Sequence, residues 1–312
     1  MKTLSFFLML ILCGGLSGWK GIAQELPENL GTGVNTACSE INPVLSADGR
    51  SLYFSRVNYP DSSQRRMRHQ DIWFSNLDEE GRFTQAVRLQ DEINLGRYNA
   101  ILSAFPDGKT FAVNGVFNRK GNRWLKRGIS LIEQQEDGSW GKPEAIRIRG
   151  YARKSRGAVA NACFAADSQH ILLSFSKEAD SWQLTLHVAK KVNDRAYGRP
   201  KPVKGMINLG RSVESPFLVN DTVLFFSACF GRERRNFDIY SCTRLGDDFR
   251  KWTTPEPVGD SINTPLWQSY YTEDSQGWSY FCSITDTGSR SDIYRVRKKQ
   301  RVAVPEAAEP AK

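Results

Sequence analysis

A four-stranded unit recurs five times along the 312-residue chain, and self-similarity at this period leaves few architectures open. The first complete copy runs from Asn42 to Leu89. It has an apolar run at Val44-Leu45, an Asp48-Gly49 break, a second run at Leu52-Tyr53-Phe54 and a long polar loop. A third run at Ile72-Trp73-Phe74 ends at Glu80-Gly81, and a fourth run around Val87 and Leu89 closes the unit. Short β-branched and aromatic runs bounded by turn formers predict an antiparallel meander. The stripes Leu52-Tyr53-Phe54 and Leu224-Phe225-Phe226 are expected to be core, and the Asp-Gly pairs at 48–49 and 107–108 to be hairpin turns.

The copies follow one another at roughly 55–60 residues. First strands begin at NPVLSADG (42–49), ILSAFPDG (101–108), NACFAADS (161–168), SPFLVND (215–221) and SYYTEDSQG (269–277). A fourth strand is announced by WGKPEAI (140–146), YGRPKPV (197–203) and WTTPEPV (252–258), where proline suits an outer strand that does not need every N–H. The fifth copy lacks this signature, but PENLGTGVNT (27–36) matches PEPVGDSINT (255–264). The segment before the first copy therefore reads as the missing outer strand of the last, which removes the seam of a ring. The expected fold is all-β: a five-bladed β-propeller of four-stranded antiparallel blades, closed by an N-terminal strand. Blades are expected at 40–94, 95–155, 156–212, 213–264 and 265–300 with 25–36, within a propeller spanning 24–300.

Residues 1–23 read as a signal peptide, with Lys2 ahead of the apolar Leu4–Leu12 and small residues Gly21 and Ala23 at a cleavage position. Nine apolar residues are about half a membrane span. A lipoprotein signal at Cys13 is the competing reading, disfavoured by the bulky Leu12 before it. The mature chain is expected to be exported, periplasmic or outer-membrane associated, with a flexible Pro-, Ala- and Glu-rich tail at 301–312. The remaining cysteines, Cys38, Cys163, Cys229, Cys242 and Cys282, are odd in number, and most lie in apolar runs. They are expected to be mostly free and buried, with Cys229 and Cys242 as the pair to test.

The pattern Ser-Ala-Asp-Gly-Arg-x-Leu-Tyr-Phe followed by Asp-Ile-Trp resembles the WD40-like β-propeller repeat of TolB-type periplasmic proteins. The Leu-Gly-x-x-Val-Asn-Thr spacer is similar to versions found in Bacteroidetes envelope proteins. The resemblance covers the mature chain and is weak in the third unit, where Asp167-Ser168 replaces Asp-Gly. In that family the repeats often precede an OmpA-like domain, for which this sequence has no counterpart. The resemblance implies a binding scaffold and brings no catalytic residues.

The formal charge is +9, and loss of Lys2 and Lys20 with the leader lowers it by two. In a propeller the loops between second and third strands share a face with the blade-to-blade connections. Sorted in this way, one face takes about 20 basic and about 7 acidic residues, and the other about 9 basic and about 15 acidic. Basic positions on the first face include Arg56, Arg65, Arg66 and Arg68, then Arg119, Lys120 and Arg123. Arg153, Lys154 and Arg156 follow from a connection, and Arg234 and Arg235 from the fourth blade. Tyr59, Phe117, Trp124, Tyr151, Trp182 and Phe237 fall beside these loops, a composition suited to an interaction surface or to carbohydrate stacking.

Catalytic signatures are missing. His69, His170 and His187 are the only histidines, and no G-x-S-x-G occurs. Neither C-x-x-C spacing nor a calcium loop is present, so no metal or other cofactor is expected. Asp71, Asp238 and Asp292 recur at one blade position, which points to a structural role in bonding backbone at the start of each third strand. The expectation is a non-enzymatic exported scaffold that docks an anionic glycan or acidic envelope protein through its basic face. No nucleic acid is expected, and membrane association is peripheral at most. The alternative is a glycan-binding or glycoside-active propeller that uses its central channel.

Overall fold

The computed structural model describes residues 26–57, 69–90, 92–157, 159–230, 237–285 and 290–298. The leader with Cys13 and the tail at 301–312 lie outside them. Five sheets form five blades. Blade 1 is Ser39–Leu45, Ser51–Val57, Gln70–Asn76 and Val87–Arg88, paired in that order and antiparallel throughout. Blade 2 is Ile101–Ala104, Thr110–Phe117, Trp124–Glu133 and Glu144–Ala145. Blade 3 is Ala160–Phe164, His170–Phe175, Thr185–Asn193 and Lys201–Pro202. Blade 4 is Val213–Val219, Val223–Ala228, Asp238–Thr243 and Glu256–Pro257. Blade 5 has Gln268–Glu273, Trp278–Ile284 and Ser291–Arg297, and its outer strand is Glu28–Asn29 from the other end of the chain.

That closure is antiparallel, with Glu28 opposite Arg295 and Asn29 opposite Tyr294. Arg295 grips Glu28 with two bonds of 2.9 and 3.0 Å and lies 4.4 Å over the Trp278 ring. Five apolar clusters fill the five blade interfaces. One sets Tyr53 and Ile72 of blade 1 against Ile101, Phe111 and Val113 of blade 2, and another sets Phe54 and Trp73 against Tyr280 and Ile293 across the closure. Both predicted stripes are buried, and Gly49 and Gly108 take the left-handed conformation (φ 71° and 74°) that their hairpins need.

One motif organises the blade-to-blade connections. Val34-Asn35, Ile93-Asn94, Ile207-Asn208 and Ile262-Asn263 each bury an aliphatic residue followed by an asparagine. The outer strands are only two residues long, and each asparagine extends the pairing by pinning one third-strand residue. Asn94 Oδ1 accepts from Ile72 N at 2.7 Å and Asn94 Nδ2 donates to Ile72 O at 3.2 Å. The same two bonds join Asn208 to Leu186, Asn263 to Ile239 and Asn35 to Ile293. The blade 2 connection lacks the motif. There Arg147–Ile148 runs parallel to Ala196–Tyr197 of blade 3, and a helical turn follows at Tyr151–Lys154.

These asparagines do the work expected of Asp71, Asp238 and Asp292. Asp71 and Asp292 instead bond side chains: Asp71 takes Arg88 Nε at 2.8 Å and Asn99 Nδ2 at 3.2 Å, and Asp292 takes Asn29 Nδ2 at 3.0 Å. An amide carries both a donor and an acceptor, whereas an ionised carboxylate can only accept, so only asparagine can serve both groups of one residue.

Arg56 also departs from expectation. It lies within a second strand, 2 % exposed, donating to Glu40 Oε1 at 2.8 Å and Val34 O at 2.7 Å with its guanidinium 4.1 Å over Trp73. Glu40 also accepts from the N–H and hydroxyl of Thr36. Burial pushes the Glu40 carboxyl up, against the opposing effect of its hydrogen bonds and of Arg56. Among the described residues the five cysteines form no disulfide with one another. Cys242 stands opposite Leu224 and Cys229 follows Ala228, which stands opposite Asp238, so the register sets the two thiols at opposite ends of one strand pair.

Asn35→Ala leaves the buried N–H of Ile293 without its acceptor and is expected to cost about 1–3 kcal/mol in urea unfolding. Arg56→Met strands the Glu40 carboxylate and is expected to cost about 3–5 kcal/mol in the same measurement.

Candidate functional site

Two regions gather chemistry: the mouth of the central channel and the loop face on the opposite side of the disc. The channel is lined by the inner strands. In blades 1, 4 and 5 these strands lose register at equivalent points, between Ile41 and Val44, Glu214 and Phe217, and Ser269 and Thr272. At each bulge one non-glycine residue is left-handed: Asn42 (φ 57°), Ser215 (φ 51°) and Tyr270 (φ 59°). Pro43 and Pro216 follow the first two, and a proline that has no N–H to pair fits a strand leaving its ladder. Left-handed serine and tyrosine store strain, and such outliers cluster at functional sites.

The mouth is a cavity of about 340 Å³ to which all five inner strands contribute, and it is rimmed by the turns carrying Gly49, Pro106 and Ser275. Asn42, Ser103, Asn161, Ser215, Tyr270 and Thr272 supply its polar groups, with Phe105 and Phe217 among its rings. Asn42 Nδ2 donates to Ile101 O at 2.6 Å, and Asn161 Oδ1 accepts from Ser215 N at 3.3 Å. Ser215 and Ser269 hydroxyls meet at 3.4 Å, and Ser269 donates to Glu214 Oε1 at 3.4 Å. Burial pushes the Glu214 carboxyl up to about 7, and its hydrogen bond from Ser269 only partly opposes this. Burial and the neighbouring Glu214 raise the Tyr270 phenol, which is a neutral donor at physiological pH.

The carboxylates in the lining are both held by their own blade. Glu273 accepts from Tyr271 OH at 2.9 Å, and Asp274 accepts from Gln276 N, Trp278 N and Tyr280 OH. Asp71, Asp238 and Asp292 do not meet here, because each lies on the third strand of a different blade. Among the described residues no cluster of three or more His, Cys, Asp or Glu side chains is arranged to hold a metal. His69 pairs with Asp71 at 3.0 Å and His170 with Asp167 at 3.4 Å, and neither histidine lines the channel mouth. His187 is buried, stacked 4.3 Å from Phe175, and desolvation pushes it down to about 4.

On the loop face, Arg119 and Lys120 are exposed at the tip of the blade 2 hairpin, with Arg123 exposed beside them. Arg153 and Lys154 end the helical turn, with Arg153 and the following Arg156 exposed and Lys154 half-buried. Among the described residues none of these six forms an ion pair. On the other face, by contrast, Arg82 is held by Asp78 and Glu80. Arg65, Arg66, Arg68, Arg234, Arg235 and Tyr59 lie outside the described residues. Trp124 and Trp182 are exposed as expected, but Phe117 and Tyr151 turn into the core. Tyr151 packs edge-on to Phe175 at 5.3 Å.

The channel residues Asn42, Asn161, Ser215 and Tyr270 were not singled out by sequence. A signal for two of them was present: Asn-Pro and Ser-Pro at one point of an otherwise apolar strand mark a bulge.

No family model matches the chain, and no curated protein matches it. Among solved structures it is similar to an α-L-arabinofuranosidase from Lactobacillus brevis, at 14 % identity over 85 % of this chain and 92 % of that one, TM-score 0.50. A β-1,2-mannobiose phosphorylase from Listeria innocua matches at 8 % identity over 87 % and 94 %, TM-score 0.53. A GH43_12 protein retrieved from a capybara gut metagenome matches at 8 % identity over 91 % of this chain and 56 % of that one, TM-score 0.52. Likeness at these identities shows the fold, a β-propeller of five blades.

A Glu214 carboxyl that keeps its proton to about pH 7, against 4.5 ordinarily, binds more protons folded than unfolded between those values. Its contribution to stability is therefore full below about pH 4.5 and lost as pH rises through about 7. Glu214→Gln has no such titration. Its melting temperature relative to wild type is expected to rise between about pH 5 and about pH 8. Parallel curves would show an ordinary carboxyl.

Proposed function

We propose that this protein is a non-enzymatic binding propeller that takes a short neutral glycan in the mouth of its central channel. The observation that carries the reading is the convergence of three strained, left-handed residues, Asn42, Ser215 and Tyr270, on one cavity of about 340 Å³. Amides, hydroxyls and a protonated phenol beside aromatic rings match the donors, acceptors and apolar faces of a sugar. Hydrolysis would ask for two facing carboxylates about 5–9.5 Å apart. Glu273 and Asp274 are instead tied to their own blade, and Glu214 does not line the cavity. The solved enzymes of similar fold named above act on, or are named for, saccharides, which favours a sugar over other small polar ligands.

The leader-like residues 1–23 and the resemblance to TolB-type repeats support an exported protein of the cell envelope, where glycans are abundant. The scaffold reading, with an anionic glycan or acidic envelope protein on the basic face, rests on a separate surface and is compatible with an occupied channel.

A neutral-glycan array followed by calorimetry tests the proposal. Tyr270→Ala and Asn161→Ala are each expected to weaken binding by about tenfold or more, the loss of a well-placed polar contact. Asp71→Asn, away from the channel, is expected to leave affinity unchanged. An array without hits, or release of free sugar on incubation, would overturn the reading.

A further inference from the structure

The loop face carries exposed apolar side chains as well as cations, and they belong to one region. Of the eleven large hydrophobic residues exposed among the described residues, Tyr98, Trp182, Leu209 and Phe230 sit on second-to-third-strand loops or blade connections, and Trp124 and Leu125 begin the third strand beside such a loop. Trp182 is 64 %, Leu209 69 % and Leu125 45 % exposed. Contacts run from one loop to the next. Gly96, beside Tyr98, lies against the Trp124 indole, so closely that a Cβ on Gly96 would stand 3.2 Å from its Cδ1. Arg127, on the same hairpin as Trp124, donates from Nη1 to Gly157 O, and Gly157 packs against Ser181, next to Trp182.

Cations surround these side chains. Arg119, Lys120 and Arg123 flank Trp124 and Leu125, while Arg153 and Arg156 are exposed on the connection that Arg127 meets at Gly157. Lys154 and Lys177, from different loops, both depress the His187 pKa, so their fields add at one place. Glu178 and Asp180 are the acids of the Trp182 loop, too few to reverse the sign.

The composition separates the classes of partner. A soluble polyanion would use the cations and could stack on the indoles, but it gains nothing from Leu125 and Leu209. An acidic protein surface would leave the same aliphatic groups facing charge. An anionic bilayer uses all three: indole and phenol at the head-group level, leucine below it and cations at the phosphates. We infer that this face of blades 2 to 4 docks peripherally on an anionic phospholipid surface. The channel mouth, rimmed by turns of the opposite face, then points away from the lipid and stays open. The two proposals use different faces and fail independently.

The test is co-sedimentation of the mature chain with vesicles of phosphatidylcholine alone or mixed with phosphatidylglycerol, with soluble dextran sulfate and polyglutamate as competitors. Binding is expected only to the mixed vesicles. R119E/K120E/R123E is expected to lower partitioning by about tenfold or more, since each cation near the surface contributes measurably. Trp124→Ser with Leu125→Ser is expected to abolish the part of binding that survives about 0.5 M salt, where charge attraction is screened. The substituted side chains are exposed, and unchanged thermal melts confirm that the variants are folded. Equal binding to neutral vesicles, no vesicle binding, binding to the soluble polyanions alone, or wild-type partitioning of the double serine variant would each overturn the inference.

Discussion

Closure of the ring depends on a few residues near the start of the chain reaching the last blade. Glu28 and Asn29 give blade 5 its outer strand, Asn35 pins Ile293 from both sides, and Arg56 holds Val34 O while pairing with Glu40. The contacts of Glu28, Asn29 and Asn35 join segments more than 250 residues apart, yet the Asn35 pin is a copy of what three other connections do locally. Asn94, Asn208 and Asn263 pin their third strands with the same pair of bonds. The closing blade differs in one respect, that its outer strand comes from a segment remote in sequence from its other three. The buried Arg56–Glu40 pair is the extra tie there, fully enclosed and satisfied on several sides, the condition under which a buried charge pair is tolerated.

With the ring closed, the inner strands are free to depart from regular pairing. A bulge in an isolated hairpin would fray. Here each bulged strand is held on its outer side by the blade and on its flanks by two neighbours, so Asn42, Ser215 and Tyr270 can persist in conformations that cost energy. The result is a cavity walled by all five inner strands. The same closure separates the two faces. Turns with acidic residues surround the channel mouth, and cations with exposed indoles and leucines occupy the far side, so one rigid disc presents two surfaces of different chemistry.

The repeat was legible because its information is local and redundant. Alternating aromatic and β-branched runs, Asp-Gly turns and the match of PENLGTGVNT to PEPVGDSINT specify strands, hairpins and the closing partner without reference to distant residues. The site was much less legible. Arg56 reads as the start of a basic loop yet lies in the core, because the strand pairing sets Glu40 directly opposite it as a buried carboxylate partner. Phe117 and Tyr151 read as surface aromatics yet face inward, since the depth of a loop residue depends on the neighbouring blade. The recurring aspartates drew attention by position, while the asparagines that pin the third strands passed as part of a spacer.

The sequence alone determined the five-bladed, four-stranded architecture, the place where the ring closes and the separation of charge between loops, because each follows from short-range pattern repeated along the chain. Tertiary structure decided which of those charges are exposed and which buried, and it brought Asn42, Asn161, Ser215 and Tyr270 from four blades to one cavity. No local pattern encodes that meeting. It is a consequence of bending five separate sheets around a common axis, where residues some 55 or more positions apart become neighbours only once the ring is complete.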